Sequence, residues 1–166
     1  LAVMGGSAGG IFVGRAMTAR PDLFAAAVVS VGNTDLVRSE TRANGVANIP
    51  EYGTVKREDE FRALLEMSPY ASIREGVKYP AALFEHGAND SRVDVWQSAK
   101  FAARLQAVNA GVPKARPALM RLDPEAGHGS GASRAQQQQR QVDVWAFLLW
   151  QFGVPEFQPV KAGQAG

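Results

Sequence analysis

The sequence lacks cysteine, has only two histidines and carries almost no excess of charge of either sign. Without cysteine the chain forms no disulfide and uses no thiol chemistry, and two histidines argue against a multi-histidine metal site. Its 18 basic and 16 acidic residues give a formal net charge of +2. This balance indicates neither a nucleic-acid nor a membrane partner, and no apolar run approaches the ~20 residues that span a bilayer. No metal or organic cofactor is implied.

The length of 166 residues suits one domain with a sizeable core. We predict a domain over residues 1–154 and a loose tail over 155–166. The chain opens at Leu1, inside a predicted strand and without a methionine. We therefore expect the native start to lie upstream, which leaves the compartment open.

Strand-like and helical patterns alternate along the chain, which predicts a parallel sheet with helices on its faces. Strands are expected at 1–4, 25–31, 81–85 and 118–122. Helices are expected from about 11 to 20 and at 58–67, 95–110 and 133–152. In the last two helices, core stripes are predicted at Trp96, Ala99, Ala103 and 105–108, and at Val142, Trp145, Leu149 and Phe152. The glutamine-rich stretch 136–141 is interpreted as a solvated helix face.

Residues 5–10 read Gly-Gly-Ser-Ala-Gly-Gly and follow the first predicted strand. This G-x-S-x-G pattern (Gly5, Ser7, Gly9) is typical of a sharp strand-to-helix turn that strains the serine backbone and crowds its neighbours. The turn would expose the Ser7 hydroxyl and aim the Ala8 N–H at a developing oxyanion. A structural serine or a phosphate-binding turn is the alternative, although no Walker lysine follows.

An acid and a histidine follow in the order Ser, Asp, His that α/β-hydrolases use. Asp90 lies in His86-Gly87-Ala88-Asn89-Asp90-Ser91-Arg92-Val93, and His128 lies in Ala126-Gly127-His128-Gly129. Each group follows a strand-like run, and the carboxyl ends of parallel strands share one edge of a sheet. The sequence therefore predicts a nucleophile, an orienting acid and a general base brought together.

Other residues compete for these roles. His86 precedes the acid, which is the wrong order for the base, so packing or loop support is expected of it. Asp94 could cap the next helix instead of orienting the base. Asp35 follows a different strand, and Asp123 remains a further candidate. Arg92 is either a surface arginine paired with a nearby acid or a substrate-binding cation.

These motifs together resemble the prolyl oligopeptidase family of serine peptidases, over the C-terminal part of its hydrolase domain. The resemblance rests on these stretches and on Glu51-Tyr52-Gly53, Ser68-Pro69-Tyr70, Tyr79-Pro80-Ala81 and residues 98–106. It implies an α/β-hydrolase fold, apparently truncated to its second half. It also implies Ser7 as nucleophile, Asp90 as acid, His128 as base, Ala8 as oxyanion donor and Arg92 as substrate-binding cation.

The resemblance also implies what this chain lacks. Family members carry a β-propeller and the first half of the hydrolase domain, which supplies a tyrosine hydroxyl as second oxyanion donor. We therefore expect hydrolysis of small esters, with cleavage of short peptides after proline as the family activity. The alternatives are a carboxylesterase without peptidase activity and a catalytically incompetent fragment or subunit. An open sheet edge beside the first strand predicts a homo-oligomer or a companion chain.

Overall fold

The computed structural model describes residues 1–42, 44–129 and 133–160, and these form a four-stranded sheet covered by helices. The strands are β1 (Ala2–Gly6), β2 (Ala26–Ser30), β3 (Ala81–Gly87) and β4 (Ala118–Asp123). The helices are α1 (Gly9–Ala19), α2 (Ile49–Tyr52), α3 (Glu58–Met67), α4 (Trp96–Asn109) and α5 (Arg134–Gln151). None of the described helices is both long and apolar enough to cross a membrane.

All strand pairs are parallel, and the strands lie in the order β1-β2-β3-β4. The register pairs Val28 with Leu83 and Leu83 with Leu119. Because the strands are parallel, the loops that follow β1, β3 and β4 open at the same edge of the sheet. The predicted α/β architecture is confirmed, and it places the serine, acid and histidine loops side by side.

One face of the sheet is covered by α1 and α4. Val13 and Met17 of α1 and Phe101 and Leu105 of α4 are fully buried against it. Phe101 also contacts the Phe84 ring of β3, with ring centroids 5.1 Å apart. Burying a side chain of this size contributes about 1.5–3 kcal/mol, so this layer anchors the strands that carry the site.

The opposite face is covered by α5, but not through the predicted stripe. Val144, Phe147 and Leu148 pack on β2 and β3, whereas Trp145 is 59% exposed, and Val142 and Phe152 are also exposed. The helix is apolar on two sides, and its spacing alone does not identify the side that meets the sheet. The helical periodicity predicted for α5 is therefore correct, but the side of the helix predicted to face the sheet is wrong. Ser133 caps the helix in a reciprocal pair of hydrogen bonds with Gln136.

The predicted stripe of α4 is also wrong, since Leu105 is its one fully buried member and Ala103, Gln106 and Ala107 are exposed. The buried face begins instead with the polar residues Gln97 and Ser98. Gln97 Oε1 accepts hydrogen bonds from the backbone N–H groups of Thr34 and Asp35 at 2.9 and 2.7 Å. Burial of these polar groups is tolerated because they are hydrogen-bonded, a condition that an apolar count does not detect.

Two smaller differences concern the start of α1 and the C-terminal residues. The first helix begins at Gly9, two residues before the expected start. Residues 155–157 form a 3₁₀ turn, and the Gln158 side chain donates to the carbonyls of Trp150 and Val154. Residues 161–166 lie outside the described part of the chain, so the domain division at 154 stays a prediction.

Candidate active site

Ser7 occupies the turn between β1 and α1 with a left-handed backbone conformation, φ +53°. Such a conformation is costly for a residue with a side chain and persists only where its surroundings impose it. Here the Ser7 N–H donates to the Ser30 carbonyl at 3.0 Å, and the Ser7 carbonyl accepts from the Asn33 N–H at 2.9 Å. Hydrogen bonds to the last residue of β2 and to the segment after it thus hold the predicted strained turn.

The crowding expected around the serine is present at Gly5 and Gly10 but not at Gly9. A Cβ at Gly5 would lie 2.8 Å from Val13 Cγ2, and a Cβ at Gly10 would lie 2.6 Å from Gly32 Cα. At Gly9, by contrast, an added Cβ meets nothing within 4 Å in the described structure. The expectation that both glycines of the motif are required by space is therefore wrong for Gly9.

The structure brings Ser7, His128 and Asp90 together in a continuous hydrogen-bonded chain. The Ser7 Oγ lies 2.9 Å from His128 Nε2, and His128 Nδ1 lies 2.7 Å from Asp90 Oδ2. The Asp90 side chain is fully buried, and that of His128 is 9% exposed. This geometry fixes the imidazole with Nδ1–H donating to the carboxylate, which leaves Nε2 as an acceptor for the serine proton.

The acid is held as a carboxylate by its own loop. Asp90 Oδ1 accepts the backbone N–H groups of Arg92 and Val93, each at 2.9 Å. Burial by itself raises the pKa of Asp90, but the hydrogen bonds from Val93, His128 and Arg92 outweigh it and lower this pKa below its ordinary value. Asp90 therefore remains negatively charged at neutral pH, as an orienting acid requires.

Backbone hydrogen bonds tie the acid loop to the histidine loop. The Ala88 N–H donates to the Asp123 carbonyl at 2.8 Å, and the Asn89 N–H donates to the Ala126 carbonyl at 3.0 Å. The Asn89 side chain adds a bond to the Pro124 carbonyl at 3.0 Å. A Cβ at Gly87 would lie only 2.3 Å from the Ala126 carbonyl oxygen. The two loops thus pack at backbone distance, which fixes His128 relative to Asp90.

A distant segment also binds the acid loop, and no sequence motif indicates this contact. The Arg42 side chain donates to the Arg92 carbonyl at 2.6 Å, and the Asn44 amide donates to the Ser91 carbonyl. Burial lowers the pKa of Arg42, an effect that the nearby carboxylates of Asp94 and Asp90 oppose. These contacts join residues about 50 positions apart, so no local motif could reveal them.

The two remaining predicted residues lie at the rim of the site. Ala8 is exposed at the first turn of α1, and its N–H donates to no described residue, which leaves it available to an oxyanion. Arg92 is exposed, and within the described residues its guanidinium forms no ion pair or hydrogen bond. The alternative that Arg92 is a surface arginine paired with an acid is therefore wrong.

The competing acids have other partners. Asp35 pairs with Lys100, and Asp123 Oδ1 accepts the backbone N–H groups of Glu125 and Ala126 in its own turn. The expected capping role of Asp94 is wrong, because Val95 occupies the cap of α4 and makes no side-chain bond there. Across residues 1–42, 44–129 and 133–160, no three His, Asp or Glu side chains cluster as a metal site.

The fold and this arrangement define an α/β-hydrolase-type domain with a serine, a histidine and an aspartate in one hydrogen-bonded chain. The model of the prolyl oligopeptidase family matches residues 1–155. The chain belongs to this family of serine peptidases, as the motifs had indicated.

Characterised relatives and solved structures agree with this assignment. The chain is 36% identical over 155 residues to a prolyl endopeptidase of Elizabethkingia miricola, covering 93% of this chain and 22% of the relative. It is 32% identical over 157 residues to dipeptidyl aminopeptidase BI of Pseudoxanthomonas mexicana, covering 93% and 21%. A solved prolyl endopeptidase superposes with a TM-score of 0.85 at 38% identity, covering 93% of this chain and 22% of that one. The chain thus spans about a fifth of the length of the curated relatives it matches.

Proposed function

We propose that the chain is a serine hydrolase that works through an acyl-enzyme, cleaving small esters and, as its family activity, short peptides after proline. The observation that carries this proposal is the Ser7–His128–Asp90 chain with contacts of 2.9 and 2.7 Å. A serine hydroxyl is a weak nucleophile until a base removes its proton. The His128 Nε2 lies at hydrogen-bond distance for that transfer.

In the proposed reaction, Ser7 Oγ attacks the substrate carbonyl while His128 Nε2 takes the hydroxyl proton. Asp90 stabilises the resulting imidazolium through Nδ1–H. The Ala8 N–H donates to the tetrahedral oxyanion, and His128 then returns the proton to the leaving group. Water then attacks the acyl-enzyme while the same imidazole takes its proton, and the imidazolium returns that proton to Ser7 Oγ as the acid product leaves.

The substrate preference follows from what surrounds this centre. Ala8 is the oxyanion donor that the chain's own residues supply, and losing one such donor typically costs ~10²–10³ in turnover. An activated ester tolerates this loss because its leaving group needs little help, whereas an amide does not. The free guanidinium of Arg92 is proposed to bind a carbonyl or carboxylate oxygen of a peptide substrate. The curated relatives named as prolyl endopeptidases support proline before the cleaved bond.

The proposal is tested by intact-mass analysis after exposure to a fluorophosphonate. The wild type should gain one adduct and Ser7→Ala none, because only an activated serine reacts. Ser91→Ala is the matched control, since Ser91 is an exposed serine of the acid loop whose hydroxyl has no described partner. It should react like the wild type. Turnover of an activated acetyl ester and of a fluorogenic prolyl peptide then separates esterase from peptidase activity. A folded wild type that gains no adduct would refute the proposal and favour a catalytically incompetent subunit.

A further inference from the structure

His86 is a buried imidazole that the proton-transfer chain does not use. It lies in β3, four residues before Asp90, and its side chain is fully buried. Each of its ring nitrogens has a partner. Nδ1 lies 2.8 Å from Ser98 Oγ, and Nε2 lies 2.9 Å from the Val93 carbonyl oxygen. Nε2 also lies 3.3 Å from Asp90 Oδ2.

These partners determine where the His86 proton sits. A carbonyl oxygen and a carboxylate only accept hydrogen bonds, so Nε2 must carry the proton. Nδ1 is then the acceptor, and the Ser98 hydroxyl donates to it. Ser98 is itself fully buried on α4, which holds this donor in place. In its neutral form the ring is thus the Nε2–H tautomer, oriented by groups from α4 and the acid loop.

We propose that His86 is a positioning residue for Asp90: its Nε2–H donates to the Val93 carbonyl of the acid loop and faces, at 3.3 Å, the carboxylate oxygen that receives the His128 proton. This inference rests on the proposed function, because Asp90 matters only if His128 acts as the base. Asp90 Oδ1 accepts the N–H groups of Arg92 and Val93, and Oδ2 lies 2.7 Å from His128 Nδ1 and 3.3 Å from His86 Nε2. Because His86 binds the carbonyl of the same Val93 whose N–H binds Asp90, it fixes the loop that orients the carboxylate toward His128.

The position of His86 also requires that it stay uncharged. Burial lowers the pKa of His86, and the nearby His128 lowers it further. The Val93 carbonyl and the carboxylates of Asp90 and Asp94 act in the opposite direction. A protonated His86 would compete with the His128 imidazolium for the charge of Asp90. A neutral ring provides the hydrogen bond without neutralising the acid.

The chain offers a direct spectroscopic test, because His86 and His128 are its only histidines. Selective ¹⁵N labelling of histidine gives two imidazoles, and His128→Gln assigns them. We expect His86 to show protonated Nε2 and unprotonated Nδ1 at about pH 7. A ring that carries its proton on Nδ1, or that is charged at this pH, would overturn the proposal.

A matched pair of variants tests the consequence for the site. In His86→Gln the amide nitrogen reaches the place of Nε2 and keeps a donor for the Val93 carbonyl that also faces Asp90. The shorter His86→Asn retains only an acceptor for Ser98. We expect His86→Asn to label with fluorophosphonate about 10–100-fold more slowly, because the buried Val93 carbonyl and Asp90 both lose the donor that faces them. We expect His86→Gln to stay within about threefold of the wild type.

Rescue by the glutamine variant distinguishes positioning from simple packing, because both substitutions remove the ring but only His86→Gln keeps the donor. Equal losses in both variants would contradict the proposal. Thermal unfolding checks that both variants fold; if His86→Asn does not, the glutamine variant and the imidazole resonances decide. A wild type that does not label refutes the proposed function. The imidazole resonances then test by themselves whether Nε2 of His86 carries the proton.

Discussion

Gly87→Ala should weaken the site without touching any residue that takes part in the chemistry. The added Cβ would lie 2.3 Å from the Ala126 carbonyl oxygen and 2.5 Å from that of Gly127, where ordinary contact begins near 3.4 Å. Relief requires the histidine loop to move by about 1 Å, and a misplacement of this size costs ~10²-fold in rate. Overpacking of this kind also lowers the free energy of unfolding by about 1–3 kcal/mol.

The assay is the rate of fluorophosphonate labelling, with a thermal melt recorded on the same sample. Gly111→Ala is the matched control, because its Cβ would meet only the Val108 carbonyl at 3.9 Å. It should label at the wild-type rate. A folded Gly87→Ala that labels within about threefold of the wild type would contradict this prediction. In that case the spacing of the two loops does not set the position of His128.

Two further predictions concern acid stability and assembly. The pKa of His86 in the folded chain lies below the ordinary histidine value of 6.5. Below about pH 6.5 the unfolded chain therefore binds more protons than the folded chain. The free energy of unfolding should thus fall as the pH drops below about 6.5, by at most ~1.4 kcal/mol per pH unit. Urea titrations at several pH values should give a shallower slope for His86→Gln, and an unchanged slope would contradict this. Asp90 contributes at lower pH. Because its pKa is lowered in the folded chain, its contribution to the free energy of unfolding is lost as the pH falls below about 3.8. Separately, we expect the chain to self-associate through the free edge of β1, where Met4 is half exposed. Sedimentation velocity should show an oligomer that Met4→Lys shifts toward monomer, and a monomeric wild type would refute this.

The parts of the fold and site that the sequence predicted are those with local signals. The strand-to-helix turn at Ser7 requires small residues within a few positions of the serine, and these are adjacent in the sequence. Ser7, Asp90 and His128 each follow a predicted parallel strand. Because parallel strands place their carboxyl ends at one edge of the sheet, this order also predicts that the three residues lie close together. Three loops far apart in the sequence could therefore be assigned to one site.

What the sequence did not predict depends on tertiary contacts between polar groups. The buried face of α4 begins with Gln97 and Ser98, whose burial is explained only by the backbone groups and the imidazole they bind. The two apolar sides of α5 are equivalent by spacing, and only the packed sheet selects Phe147 over Trp145. Arg42 contacts the acid loop across 50 positions, beyond the range of any pattern.

The acid loop is the point at which these unforeseen contacts meet. Asn89 ties it to the histidine loop, Arg42 ties it to the segment after β2, and His86 ties it to α4 through Ser98. The nucleophile, by contrast, is held by its own turn and by one neighbouring segment. An acyl-transfer site gains rate from groups fixed before the substrate arrives, and His128 takes its orientation from its hydrogen bond to Asp90. The residues around Asp90, rather than the G-x-S-x-G motif alone, therefore determine how well Ser7 and His128 are aligned.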